Sequence, residues 1–258
     1  MKNHLKNLSA FAIVVLLISS CTPKVTTSLS KDIKEIQPGI LEGYIPYKER
    51  PNSLLILPPP PAEGSTAMKL DEEMAGKYLA STDTSRKALA ARDAVLHFPE
   101  AAGSFSKVLD IQISEEQTPH LYMILRRTLT DAALSTYMAK THYKRERPFM
   151  VNGVPTCTQE DEESLMKDGS YPSGHTAIGW TWALILAEIF PERADMILLR
   201  GREFGESRSV CNVHWYSDVV AGQTMGTATN VKLHSNDDFR IDLEAAKKEI
   251  AELKKASR

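Results

Sequence analysis

The sequence predicts an all-α domain, and three observations carry that expectation. Apolar residues recur at three- and four-residue spacing from Ser65 almost to the C-terminus. Strand-like alternation is nearly absent. Proline and glycine interrupt the pattern at helix-length intervals, at Pro99, Gly103, Pro119, Pro148, Pro172 and Pro191. Helices packed on helices are the architecture that buries such a pattern.

Taken in order, residues 1–20 read as a targeting segment. Lys2 and Lys6 make a basic start, and Phe11 to Ile18 form an apolar core too short to span a bilayer as a mature helix. Ile18-Ser19-Ser20-Cys21 resembles the lipobox of bacterial lipoproteins. That resemblance implies cleavage before Cys21, lipid on its sulfur and new amino group, and a membrane-anchored, periplasm-facing protein of the bacterial cell envelope. A soluble periplasmic protein is the alternative. Residues 21–50 are polar with little periodicity and read as a tether, which places the domain at 51–258. With Cys21 lipidated, Cys157 and Cys211 remain. An even pair in an oxidising compartment suggests a disulfide; two buried thiols are the alternative.

Leu54 to Leu57 followed by Pro58 to Pro61 reads as a stiff, extended lead-in. Helical spacing then covers Leu70–Leu79 and Ala88–Leu96. Thr118-Pro119 opens a strong helix with Leu121, Ile124, Leu125, Leu129 and Ala132 on or near one face, running to about Thr141 and stopping before Pro148. Residues 152–170 read as a polar loop. The apolar run Ile178 to Ile189 gives a helix ended near Pro191, residues 192–204 carry another, and a further one starts around Tyr216. Asp242 to Lys255 is a charged amphipathic helix, and a helical face near the C-terminus offers a way to pair copies in a homo-oligomer.

Composition, 42% apolar and 25% charged, places the chain with ordinary globular proteins and not with disordered ones. The formal net charge of −2 becomes −4 once Lys2 and Lys6 leave with the signal, which argues against nucleic acid as a partner. No stretch after residue 20 is long and uncharged enough to span a membrane.

Residues that carry chemistry fall in three blocks. Lys140 and, seven residues on, Arg147-Pro148 stand at the end of the strong helix. Gly169-Ser170-Tyr171-Pro172-Ser173-Gly174-His175-Thr176-Ala177 is a tight turn that opens a helix, and the first amides of a helix form an anion site. Ser207-Arg208, then His214 and Asp218, make the third. Alone, each block is unspecific. Most Lys and Arg are solvated charges, and His214 with Asp218 fits a plain hydrogen bond on a helix face.

Together, Lys140-x6-Arg147-Pro148, Pro172-Ser173-Gly174-His175 and Ser207-Arg208-x5-His214-x3-Asp218 resemble the three-part motif of the type 2 phosphatidic acid phosphatase superfamily. Every fixed position is filled. The chain is more similar still to bacterial class A non-specific acid phosphatases, which share a lead-in like Leu57 to Ser65 and a stretch like Asp168 to Trp180. This likeness covers about residues 50–240 and departs at the front, where lipobox and tether replace a plain secretory signal. It implies a compact helical bundle of that superfamily's kind, and an acid phosphatase acting on small-molecule phosphomonoesters without metal or other cofactor.

The residue types suit that chemistry. Arg147 and Arg208 can clamp a phosphate bidentately, and Lys140 adds a point charge. The Ser173 hydroxyl and the amides around Gly174 match the remaining oxygens. By resemblance, His214 is the nucleophile that forms a phosphohistidine, and Asp218 holds its far ring nitrogen. His175 is then the general acid and afterwards the base that activates water, with activity highest on the acid side of neutrality. The cations stand where Mg²⁺ would, and no His, Cys and carboxylate cluster has metal-ligand spacing. A vanadate-dependent haloperoxidase shares the anion cage but not the likeness outside the motifs. A lipid-phosphate phosphatase usually brings membrane helices. A lipoprotein that only binds anions does not need both His175 and His214.

Overall fold

The computed structural model describes residues 26–256, so the segment 1–20 and Cys21 lie outside it. The described residues form an all-α domain with one small hairpin, Glu35–Gln37 paired antiparallel with Ile40–Leu41. Its helices are α1 (Ser53–Ile56), α2 (Thr66–Ala80), α3 (Thr84–Arg92), α4 (Ser106–Leu109), α5 (Pro119–Ser135) and α6 (Tyr137–Tyr143). There follow α7 (Pro148–Asn152), α8 (Glu162–Leu165), α9 (Gly174–Ile189), α10 (Ala194–Val210), α11 (Tyr216–His234) and α12 (Asp237–Ala256). None of them is long and apolar enough to cross a membrane.

The bundle is arranged around α9. This helix is apolar on nearly every side, so it is covered on nearly every side, by α5, α10 and α11. Trp182 is its largest buried side chain; it meets Phe98, Phe105 and Phe204 edge-on and donates its indole N–H to Leu125 O at 3.1 Å. Two glycines let the neighbouring helices come close to the start of α9. A Cβ on Gly222 would lie 2.6 Å from Ser173 O, and one on Gly205 would lie 2.6 Å from Thr176 Cγ2. The turn before α9 is thereby wedged between α10 and α11.

Three expectations are corrected. Residues 26–50, read as part of a tether, pack on the domain because buried carboxylates hold them. Asp131 of α5 accepts the amides of Tyr44 (2.8 Å) and Ile45 (3.0 Å). Asp242 of α12 accepts the Ser28 amide (2.8 Å), the Ser28 hydroxyl and the Tyr44 hydroxyl (2.7 Å). Leu54 to Leu57 is not an extended lead-in, since Asn52 caps a single turn, α1, through the Leu54 amide. Its residue Ser53 then breaks the strong helix expected over 118–141. The Ser53 hydroxyl accepts the Ala139 amide at 2.9 Å and donates to Thr136 O at 3.3 Å, replacing part of the helical ladder where α5 gives way to α6. Thirdly, the apolar face of α12, offered above as a pairing surface, is spent inside the fold: Phe239, Leu243, Ala246 and Ile250 are buried, and α12 lies against α5. Glu249 adds to that seam by capping the first amides of α5, those of His120 (3.0 Å) and Leu121 (3.1 Å).

Candidate active site

The turn before α9 is fixed from both directions. Ser173 donates its amide to Asp218 O at 3.0 Å. Its hydroxyl caps the helix, accepting from the Thr176 amide (3.3 Å) and the Thr176 hydroxyl (2.9 Å). With both lone pairs engaged, the Ser173 proton remains for donation outward. The amides of Gly174 and His175, first in α9, precede any intrahelical acceptor. A Cβ at Gly174 would lie in ordinary contact with Thr136 Oγ1 (3.7 Å) and Lys140 Cε (3.9 Å), so this turn sits directly beside the Lys140 side chain.

Around this turn stand three buried cations, Lys140 from α6, Arg147 from the start of α7 and Arg208 from α10. Lys140 donates to Gly169 O at 2.6 Å. Arg147 donates through Nε to Leu165 O at 2.9 Å and through Nη1 to Val213 O at 3.3 Å. Arg208 is 1% exposed, yet its Nε and Nη1 have no hydrogen-bond partner. Buried, unanswered guanidinium donors mark a place for an anion. The electrostatics agree. Burial, then Arg147, brings the Lys140 ammonium down to about 8, and burial, then Arg147, brings Arg208 down to about 10. Such a cluster is relieved when a negative group arrives.

His214 lies within it, buried. Arg147 Nη1 is 3.0 Å from His214 Nε2, and a guanidinium can only donate, so Nε2 accepts. The ring proton is therefore on Nδ1, which faces Asp218 Oδ2 at 3.3 Å. Asp218 is held in turn by the Trp215 amide (2.9 Å), the Ser170 hydroxyl and Arg145 Nη1 (2.6 Å). Burial, then Arg147, Lys140 and Arg208, hold the imidazole well below the usual histidine range, so it stays neutral in mild acid. The disulfide Cys157–Cys211 ties the loop after α7 to the end of α10, three residues before His214. It closes a separation of 54 residues, a constraint worth about 4 kcal/mol in the chain-entropy model.

His175 is mounted differently. It is partly exposed, and Nε2 lies 2.9 Å from the carbonyl of Ala94, which accepts the proton there and leaves Nδ1 for exchange. Asp93, next in the chain, anchors that carbonyl by accepting from Ser207 Oγ (2.6 Å) and Arg200. Burial, then Arg208, depress His175 well below the ordinary value. A general acid must carry a proton when substrate is bound; in the free site desolvation and the cations favour the neutral ring, and a bound phosphate dianion would shift the balance the other way.

All eight positions singled out from the motifs, Lys140, Arg147, Ser173, Gly174, His175, Arg208, His214 and Asp218, thus converge on one place. Three supporting residues were missed. Ser170 stands in the quoted turn without a role, and Arg145 sits between two motif cations. Asp71 of α2 gives no sequence signal, since an acid on an amphipathic helix reads as solvated. In the fold it is buried and joins Arg145 Nη2 at 2.7 Å, the Ser217 amide at 2.7 Å and the Ser217 hydroxyl at 2.6 Å.

Three cations, a helix N-terminus and two histidines thus stand together on an all-helical scaffold, and the PAP2 superfamily model matches residues 120–236, which contain all eight positions. The chain is 44% identical over 213 residues to the non-specific acid phosphatase of Providencia stuartii, spanning 82% of this chain and 86% of that one. It is 41% identical over 204 residues to an acid phosphatase of Zymomonas mobilis (79% and 77% of the two chains). It is 40% identical over 204 residues to the non-specific acid phosphatase of Salmonella typhimurium (79% and 82%). The chain belongs to this acid phosphatase family of the PAP2 superfamily.

Proposed function

We propose that this acid phosphatase hydrolyses small phosphate monoesters through a phosphohistidine on His214, without a metal ion. The observation that supports the reading most is the pair of contacts on His214. Arg147 donates to Nε2 and Asp218 faces Nδ1, so the nitrogen turned toward the cations is the unprotonated, nucleophilic one.

The steps follow from the donors. Phosphate oxygens accept from Arg208 Nε and Nη1, Arg147 Nη2, Lys140, the Ser173 hydroxyl and the amides of Gly174 and His175. His214 Nε2 attacks phosphorus in line with the ester oxygen, and the Nδ1–H stays on Asp218, which offsets the positive charge gained by the ring. The dianion raises the His175 pKa, and Nδ1 gives its proton to the leaving alkoxide. Neutral again, the same nitrogen takes a proton from water as the water attacks the phosphohistidine. Hydrolysis of p-nitrophenyl phosphate by the purified protein is expected to proceed at an undiminished rate in EDTA. Activity that returns only with an added divalent cation would contradict the reading.

We also propose that the enzyme sits at the cell envelope, anchored through lipid on Cys21 and facing the periplasm. The lipobox-like Ile18-Ser19-Ser20-Cys21 supports it. Mass spectrometry of the mature N-terminus is expected to find an acylated Cys21; an unmodified N-terminus would refute the anchor.

A further inference from the structure

The three cations are not equally free. Arg208 keeps two unpartnered, buried donor atoms. Lys140 and Arg147 already share an anion, because Asp168 Oδ2 lies 3.1 Å from Lys140 Nζ and 3.6 Å from Arg147 Nη2. Asp168 takes part in none of the steps above. Its side chain is 39% exposed while those of Lys140 and Arg147 are 4% and 2% exposed, so it stands on the open side of the cage. Next to it is a cavity of about 270 Å³ whose lining includes Lys144, Lys167 and Asp168 itself.

We propose that Asp168 is a resident anion that competes with phosphate for Lys140 and Arg147, and so limits how tightly the enzyme holds inorganic phosphate. The inference rests on the reading of the cage as a phosphate site. A carboxylate oxygen between two cations stands where a phosphate oxygen would bind. An incoming phosphate must push it aside or accept a second negative charge close by, and both weaken ground-state binding. Once displaced, the carboxylate has the adjoining cavity to enter, whose lining brings Lys144, Arg145 and Lys167 as well as Glu146. The benefit falls on product release. Inorganic phosphate carries the same group as the substrate, and a cage of wholly unopposed cations would retain it after turnover.

Isothermal titration calorimetry of inorganic phosphate into the purified protein tests this without requiring turnover. Asp168→Asn is expected to bind phosphate about tenfold more tightly than the natural chain, between the effect of an exposed and a buried charge pair. The inhibition constant of phosphate against p-nitrophenyl phosphate should fall in parallel. Asp168→Glu, which keeps the competing charge, is expected within about threefold of the natural chain. Asp168→Ser carries the expectation of the Asn variant should the amide disturb the turn. Unchanged or weaker phosphate binding by both Asn and Ser variants overturns the proposal, and so does a Glu variant that binds as tightly as Asn. Arg208→Ala separates the two layers. If it binds phosphate as well as the natural chain, the cage reading fails; if it loses binding while Asp168→Asn is flat, only the role of Asp168 is lost.

Discussion

His214 and His175 stand by the same cations but are mounted by different kinds of group. His214 is buried, with a guanidinium on Nε2 and a carboxylate and a hydroxyl near Nδ1. Behind the carboxylate stands Arg145, and behind that Asp71, so the mount reaches from α11 to α2. His175 is partly exposed and fastened through Nε2 to the main-chain carbonyl of Ala94. The contrast suits the roles proposed for the two rings. A nucleophile works in one tautomer with its charge compensated as it forms, and ionised partners provide both. A group that first gives and then takes a proton must be able to change charge. A carbonyl orients His175 without locking it as imidazolium, and the cations keep it neutral until a dianion arrives.

Mutations that break this contrast differ in expected size. His214→Ala removes the atom proposed to bond to phosphorus, and turnover should fall by about ten-thousand-fold or more. Asp218→Asn leaves the volume but not the charge and lets the wrong ring nitrogen carry the proton. A loss of about a hundred- to ten-thousand-fold in kcat is expected, and steady-state kinetics showing less than about a threefold change would remove Asp218 from the mechanism. Arg145→Lys keeps a positive charge but not the fork that spans Asp218 and Asp71. It should lower kcat about tenfold with KM nearly unchanged, the scale of losing the partner of a working side chain. A thermal melt displaced with no change in kcat would make Arg145 a purely structural tie.

The pH dependence sharpens the comparison with the smallest effect. Lys140 is held to about 8, below its ordinary value, so it loses its positive charge as pH rises through that range. In the free enzyme kcat/KM should fall across it as the cage drops to two cations. On the acid side, the depressed pKa of His214 keeps the nucleophile neutral well below the usual histidine titration. Activity should therefore persist in mild acid, which a pH–rate series would check directly. A kcat/KM profile that falls below pH 7 and stays flat above pH 8 would reverse both assignments.

The parts of this site legible in the sequence are those that must lie at fixed spacing. Pro172-Ser173-Gly174-His175 is read because a helix start has its own chemistry, and His214 with Asp218 because one helical turn separates them. The all-helical architecture was equally plain, since the apolar spacing of α5 and the long apolar run of α9 permit little else. What stayed hidden depends on distant packing. Asp71 lies 147 positions before Asp218 and becomes part of its mount only through Arg145. Ser53 breaks the strong helix from outside it, and no local signal around Thr136 announces that insertion. The stretch 26–50 looked like a tether because its anchors, Asp131 and Asp242, are acids that composition counts as surface.

In the proposed mechanism the phosphoryl group passes through His214 and is released with the help of His175. Rapid quench of the natural chain and of His175→Ala with a phosphate ester of a good leaving group, followed by peptide mapping under alkaline conditions, tests it most directly. An acid-labile phosphoryl group on His214 is expected, transient in the natural chain and accumulating in His175→Ala, with none in His214→Ala. A phosphoryl group mapped to any other residue, or a burst that survives His214→Ala, would contradict the account.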